Sequence, residues 1–193
     1  MDKPRAVFFD KDGVINSLVD RPDGRRTSPW NVSELKLLPN VREAMMKVRK
    51  AGFLTFVVTN QPAIEDEEMT QEELDEIVTY LMFNLPIDDI QCAIERSSKY
   101  YKPNNGMIES FVKQFDLDRS KSYIIGDRWK DIVPGNHSKL TTILVGDEPY
   151  TPSDEYKYIA PDHVMNDILD ACNLIVELDN ARAKGQLRLN GDK

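Results

Sequence analysis

Two aspartates two residues apart, Asp10 and Asp12, stand where the apolar run Arg5–Asp10 (RAVFFD) meets Gly13. A carboxylate placed there can attack phosphorus and form an acyl-phosphate. Its neighbour, on the side away from a bound metal, can protonate the leaving oxygen and later activate water. Three more polar stretches share this character: Thr59-Asn60, Lys102-Pro103 and Gly126-Asp127-Arg128-Trp129-Lys130-Asp131. Asp10, Asp12 and Asp127 offer hard oxygen ligands that suit Mg²⁺. Such a cation would let Asp10 stay ionised beside Asp12 and would neutralise an incoming phosphate. A phosphoryl group in transfer carries charge on its equatorial oxygens, and the Thr59 hydroxyl, Asn60 and Lys102 are fitting donors to those oxygens.

Each stretch also has a plainer reading when taken alone. A strand-end Asp-x-Asp-Gly is often a turn, because Asp and Gly favour turns. Thr59-Asn60 reads as a loop or cap, and Lys102-Pro103 says almost nothing. Gly-Asp with a second Asp four residues on fits a helix N-cap followed by a first-turn acid. Four such stretches in this order, each at a strand end or helix start, point instead to one site.

The elements that must position them follow from pattern. Arg5–Asp10, Phe53–Val58 (FLTFVV), Ser122–Ile125 (SYII) and Thr141–Val145 (TTILV) read as buried strands, and Asp89–Ile94 as a weaker one. Asn40 caps a helix to about Ala51 that Gly52 stops, and Thr70 with Glu73 forms a capping box for a helix to about Asn84. Gly106–Phe115 is amphipathic, and Asn166–Leu178 reads as a closing helix with a frayed tail over 181–193. Gly13–Pro39 reads as a long irregular loop, functional or disordered. Strands alternating with helices predict a parallel sheet covered on both faces, with ligands at the carboxyl ends of its strands. The expected architecture is α/β, a Rossmann-like three-layer sandwich, as a single domain over 1–180.

Composition narrows the function. The chain has 193 residues, 25 Lys+Arg against 33 Asp+Glu and a net charge of −8. That balance disfavours general nucleic-acid and anionic-membrane binding, yet a phosphate ester can bind where a few cations converge. The N-terminus lacks a signal-peptide apolar region, and no run reaches transmembrane length. With only Cys92 and Cys172, a disulfide framework or four-Cys zinc site is excluded and a reducing cytoplasm expected. His137 and His163 are the only histidines, so carboxylates come first as catalysts.

These stretches resemble, in order, the four motifs of the haloacid dehalogenase-like superfamily, and the likeness spans about Arg5 to Val145. DKDGVIN, LPNVREAMMKVRKAGF, VVTNQ, KPNNGM and GDRWKDI are similar to the D-glycero-D-manno-heptose 1,7-bisphosphate phosphatases and related histidinol-phosphate phosphatases. The resemblance implies Asp10 as nucleophile and Asp12 as acid/base. It implies Mg²⁺ held by the Asp10 side chain, the Asp12 backbone carbonyl and Asp127, with Asp131 in support. Thr59 and Lys102 would stabilise the phosphoryl group, and Asn60 and Arg128 would touch a small phosphate-ester substrate. The intervals between motifs leave no room for a cap domain, so a capless fold is expected.

Two departures matter. That branch carries a Cys-x-His…Cys-x-Cys zinc loop before the motif Lys; here the stretch Ala93–Tyr101 has no such ligand set, so no structural zinc is expected. The branch also has Arg directly before the Lys, as a substrate contact, where this chain has Tyr101. Heptose bisphosphate therefore stays open beside histidinol-phosphate or another small phosphate ester, and beside a non-catalytic binding role. Arg21, Arg25 and Arg26 could reach a second anionic group or could belong to a solvated turn around Pro22-Asp23-Gly24. Trp30 and Trp129 read as packing residues, Cys92 and Cys172 as core thiols, the two histidines as surface or loop residues, and Glu65–Glu68 as a solvated loop.

Overall fold

The computed structural model describes residues 2–185. Its centre is a six-stranded sheet, all of whose pairings are parallel. The strands are β1 (Ala6–Phe9), β4 (Leu54–Asn60), β5 (Asp89–Ala93), β6 (Tyr123–Gly126), β7 (Thr141–Val145) and β8 (His163–Met165), in the order β5-β4-β1-β6-β7-β8. The two-residue strands β2 (Val19–Asp20) and β3 (Arg26–Thr27) form a separate hairpin. Five α-helices connect the rest: α1 (Val41–Lys50), α2 (Gln71–Asn84), α3 (Gly106–Phe115), α4 (Trp129–His137) and α5 (Ile168–Ala183).

Alternation along β1 explains the two cores. Val7 and Phe9 point to one face, where α1, α2 and α5 supply Val48, Ile77 and Ile175. Ala6 and Phe8 point to the other, where α3 supplies Met107, Phe111 and Val112. Every residue of β1 is buried, as a strand covered on both faces must be. On the α3 side Phe111 stacks on Phe56 with ring centroids 4.4 Å apart and meets Phe8 at 6.2 Å. Phe111→Ala should therefore destabilise the fold by about 3–5 kcal/mol, seen as a lower denaturant midpoint with an unchanged slope. A loss below about 1 kcal/mol would show that this stack does not hold α3 to the sheet.

Several expectations need correction. The second strand runs on through Thr59 and Asn60, which are strand residues rather than loop. Asn40 precedes α1 as expected but caps it with no side-chain hydrogen bond; its φ of 62° places it in the left-handed region that Asn tolerates. The closing helix begins at Ile168, capped by Asp167, and runs to Ala183. Residues 186–193 of the expected frayed tail lie outside the described residues. Strand β8 has no sequence signal of its own, because its three edge residues, half-buried His163 and Met165 around an exposed Val164, give no apolar run.

The stretch 13–39 holds little regular structure and is pinned by side-chain contacts. Besides the hairpin it holds a 3-10 turn at Val32–Glu34. Arg21 fastens it: the guanidinium lies 3.4 Å from the Trp30 ring centre, donates to both Glu34 carboxylate oxygens at 2.8 Å, and donates to Thr27 Oγ1 and the Ser28 carbonyl. This pairing also holds the Glu34 carboxyl below its ordinary range. Arg21 is thus a structural residue and does not line the cleft.

Candidate active site

The expected residues converge at the carboxyl edge of the central strands. Asp10 follows β1, its N–H donating to Ile125 O at 2.9 Å; Thr59 and Asn60 end β4, and Asp127 follows β6. A cleft of about 290 Å³ brings Asp10, Asp12, Thr59, Asn60, Lys102, Asp127, Arg128 and Asp131 into one wall and floor.

Two glycines make the approach possible. A Cβ on Gly13, whose φ is +92°, would lie 2.2 Å from Asp127 Oδ2, and one on Gly126 would lie 2.1 Å from Asp131 Cβ. Any larger residue would push those aspartates out of the cluster, which is the physical reason for glycine in both motifs. Asp131, in the first turn of α4, accepts from the Arg128 N–H at 3.2 Å through Oδ2.

Lys102 is the centre of the charge arrangement. It is 4% exposed, and its ammonium donates to Asp10 Oδ1 at 2.6 Å, Asp131 Oδ1 at 2.5 Å and Val58 O at 3.0 Å. All three of its donors are therefore engaged by the protein. The Asn60 side chain closes a two-point pair with the Lys102 backbone, accepting its N–H at 2.9 Å and donating to its carbonyl at 3.0 Å. Asn60 thus fixes the Lys102 segment with one of its two amide N–H groups, and it also lines the cleft.

Asp10, Asp127 and Asp131 each present an oxygen within 4.8 Å of the other two, the only such group of possible metal ligands among the described residues. Burial first, then Asp131, pushes the Asp10 carboxyl up to about 8, although Lys102 pulls it down; burial and Asp131 likewise push Asp127 up to about 6. Burial alone would lower Lys102, but Asp10 and Asp131 more than offset it and hold the ammonium above its ordinary range. One ammonium among three buried carboxylates leaves an excess of negative charge. Asp127 Oδ1 is also buried without a hydrogen-bond partner. An unpaired oxygen, two neighbouring carboxylates and an oxygen-only donor set fit a hard divalent cation.

Asp12 sits apart from that trio in a network that sequence reading missed. Its Oδ1 accepts from Lys11 Nζ at 2.5 Å and Asn16 Nδ2 at 2.9 Å, and its Oδ2 accepts from Gln61 Nε2 at 2.9 Å. Lys11, Asn16 and Gln61 are all buried. The rim of the cleft holds Arg25, Arg26, Arg128, Lys130 and Tyr101, opposed by Asp66 and Glu68. Glu68 pairs with Arg25 at 2.7 Å, while Glu65 and Asp66 pair with Arg96 at 2.7 and 2.5 Å, so this acidic run is not merely solvated. Trp129 stacks on Tyr156 outside the cleft. Cys172 is buried as expected, and Cys92, on edge strand β5, is half-buried with its thiol pushed up to about 12 by burial.

A parallel sheet of this order carries an acidic cluster and a buried lysine at its carboxyl edge, the arrangement expected of the haloacid dehalogenase-like fold. A HAD-hydrolase-like family model matches residues 100–171. The D-glycero-alpha-D-manno-heptose-1,7-bisphosphate 7-phosphatase of Burkholderia mallei is 31% identical over 161 residues, covering 75% of this chain and 82% of that one. A D-glycero-D-manno-heptose-1,7-bisphosphate 7-phosphatase of Chlorobaculum tepidum is 29% identical over 197 residues, covering 89% and 94%. Among solved structures, the D,D-heptose 1,7-bisphosphate phosphatase of B. bronchiseptica, complexed with magnesium and phosphate, has the same fold, with a TM-score of 0.74 at 17% identity over 90% of this chain and 99% of that one. The chain belongs to the family of D-glycero-D-manno-heptose-1,7-bisphosphate 7-phosphatases.

Proposed function

We propose that this chain is a magnesium-dependent phosphomonoesterase working through a phosphoaspartate on Asp10, and that it acts on a small sugar phosphate such as a heptose (bis)phosphate. The observation that carries the reading is the convergence of Asp10, Asp12, Thr59, Lys102, Asp127 and Asp131 in one cleft. Its support from relatives is that those at 29–31% identity are named as heptose bisphosphate phosphatases.

Asp10, Asp127 and Asp131, with the Asp12 backbone carbonyl, would hold Mg²⁺, which when bound neutralises carboxylate and phosphate charge. An Asp10 carboxylate oxygen attacks phosphorus, the phosphorus–ester oxygen bond breaks, and Asp12 gives its proton to the departing alkoxide. Water then attacks the phosphoaspartate, Asp12 takes the water proton, and the phosphorus bond to Asp10 breaks to release inorganic phosphate. Lys102 holds Asp10 and Asp131 in place and offsets their repulsion, while the Thr59 hydroxyl donates to a phosphoryl oxygen. Arg128, at the exposed rim, would meet the rest of the substrate, and Arg25 and Arg26 a second anionic group. Tyr101 lines the cleft and can contribute a ring face or a hydroxyl, but no cation.

A panel of heptose 1,7-bisphosphate, other sugar phosphates and histidinol phosphate, with Mg²⁺ and with excess chelator, tests this reading. Turnover of at least one ester with Mg²⁺, lost on chelation, is expected. Activity unchanged by chelation, or none on any member with Mg²⁺ present, would overturn it.

A further inference from the structure

We propose that Gln61 is a positioning residue that sets the proton-donating geometry of both Asp12 and Thr59; this rests on the roles given to those two residues above. Gln61 directly follows β4, and its backbone N–H donates to Ala93 O at 2.8 Å, extending the pairing with β5. The backbone is therefore fixed. The side chain is fully buried, with 0% exposure.

Its amide is arranged at a cost to stability. Nε2 donates to Asp12 Oδ2 at 2.9 Å and to Thr59 Oγ1 at 3.0 Å, so both N–H groups are engaged. Oε1 is buried with no hydrogen-bond partner. A buried carbonyl left unpaired is unfavourable, and an apolar side chain of similar length would avoid that penalty. The amide is explained by what its donors do.

On Thr59, accepting from Gln61 fills one lone pair of Oγ1. The single hydroxyl proton is then free to turn to the cleft that Thr59 lines, where a phosphoryl oxygen needs a donor. On Asp12, a carboxylate has about four acceptor positions. Lys11 and Asn16 occupy the two on Oδ1, and Gln61 occupies one on Oδ2. One position remains, on Oδ2, and that atom carries the proton given to the leaving group. Gln61 thus selects both the oxygen and its direction.

The test compares kcat/KM, which reports steps through phosphoryl transfer to Asp10, on two esters with Mg²⁺ present. A sugar phosphate has an alkoxide leaving group that needs the Asp12 proton. p-Nitrophenyl phosphate has one that leaves without it. Gln61→Met keeps length and loses both donors; Gln61→Glu keeps shape and, ionised, also cannot donate. Each should lose about tenfold or more on the sugar phosphate. The loss on the aryl ester should be clearly smaller and reflect Thr59 alone. Asp12→Asn serves as the reference for alkyl-selective loss. Equal losses on both esters, or none, in the two Gln61 variants while Asp12→Asn stays alkyl-selective would overturn the role of Gln61 and leave the site reading standing. If Asp12→Asn shows no alkyl selectivity, the reading of Asp12 fails and the Gln61 role with it. Thermal melts check folding, and should Gln61→Met not fold, Gln61→Glu decides.

Discussion

Lys102→Met lowers kcat by about a hundredfold to a thousandfold, the loss typical of removing one preorganised charge donor. Methionine keeps much of the stem's packing and removes the ammonium. Three carboxylates whose oxygens lie within 4.8 Å then lose the ammonium set among them. Stability should fall too, by about 3–5 kcal/mol, as when a buried ion pair loses one partner. Excess Mg²⁺ should recover part of that stability, because a cation binding the folded cluster shifts the equilibrium toward it. Arg25 and Arg26 set the contrast. Their side chains are 52% and 57% exposed, and each already pairs with surface carboxylates. Exposed pairs of this kind contribute about 0–1 kcal/mol, and contacts to a remote part of the substrate act mainly on KM. Arg25→Ala and Arg26→Ala should each change kcat by less than about threefold. A Lys102→Met loss below about tenfold, or a larger kcat loss in either arginine variant, would contradict the assignment of Lys102.

Asp10→Asn has the larger effect on turnover and the smaller one on folding. An amide cannot attack phosphorus and is a weaker ligand for a hard cation. The expected loss in kcat is on the order of ten-thousandfold or more, as for removal of other enzymatic nucleophiles. Asp10 is driven up to about 8 by burial and by Asp131, so its charge is a strain on the fold. Removing that charge leaves Lys102 its pairing with Asp131 and should leave the melting temperature unchanged or higher, as at other sites where function opposes stability. Near wild-type turnover in Asp10→Asn would place the nucleophile elsewhere.

The sequence made much of this site readable because chemistry and local pattern coincide there. Asp10, Thr59 and Asp127 each lie at or next to the end of a recognisable strand, and parallel strands present those ends on one edge, while Lys102 comes from the turn ahead of α3. What escaped notice depends on contacts that pattern does not encode. Gln61 reads as a loop residue unless β4 is followed to its true end at Asn60. Lys11 looks like a solvated charge between two aspartates, yet it is 1% exposed and turned onto Asp12. Arg21, Arg25 and Arg26 are alike by composition and loop position. Only the fold separates Arg21, stacked on Trp30 and held by Glu34, from the two that reach the rim. Glu65–Glu68 likewise depend on distant partners, Arg96 and Arg25, for their place beside the cleft.

Covalent phosphorylation of Asp10 leaves a phosphoenzyme that can be trapped chemically. Enzyme mixed rapidly with an accepted sugar phosphate and Mg²⁺ is quenched in acid, reduced with borohydride and mapped by peptide mass spectrometry. Borohydride converts an acyl-phosphate of aspartate to homoserine. The expected result is homoserine at position 10, absent without substrate and absent in Asp10→Asn. Homoserine at Asp12, Asp127 or Asp131 instead, or no reduced residue during rapid turnover, would contradict the assignment of Asp10 as the nucleophile.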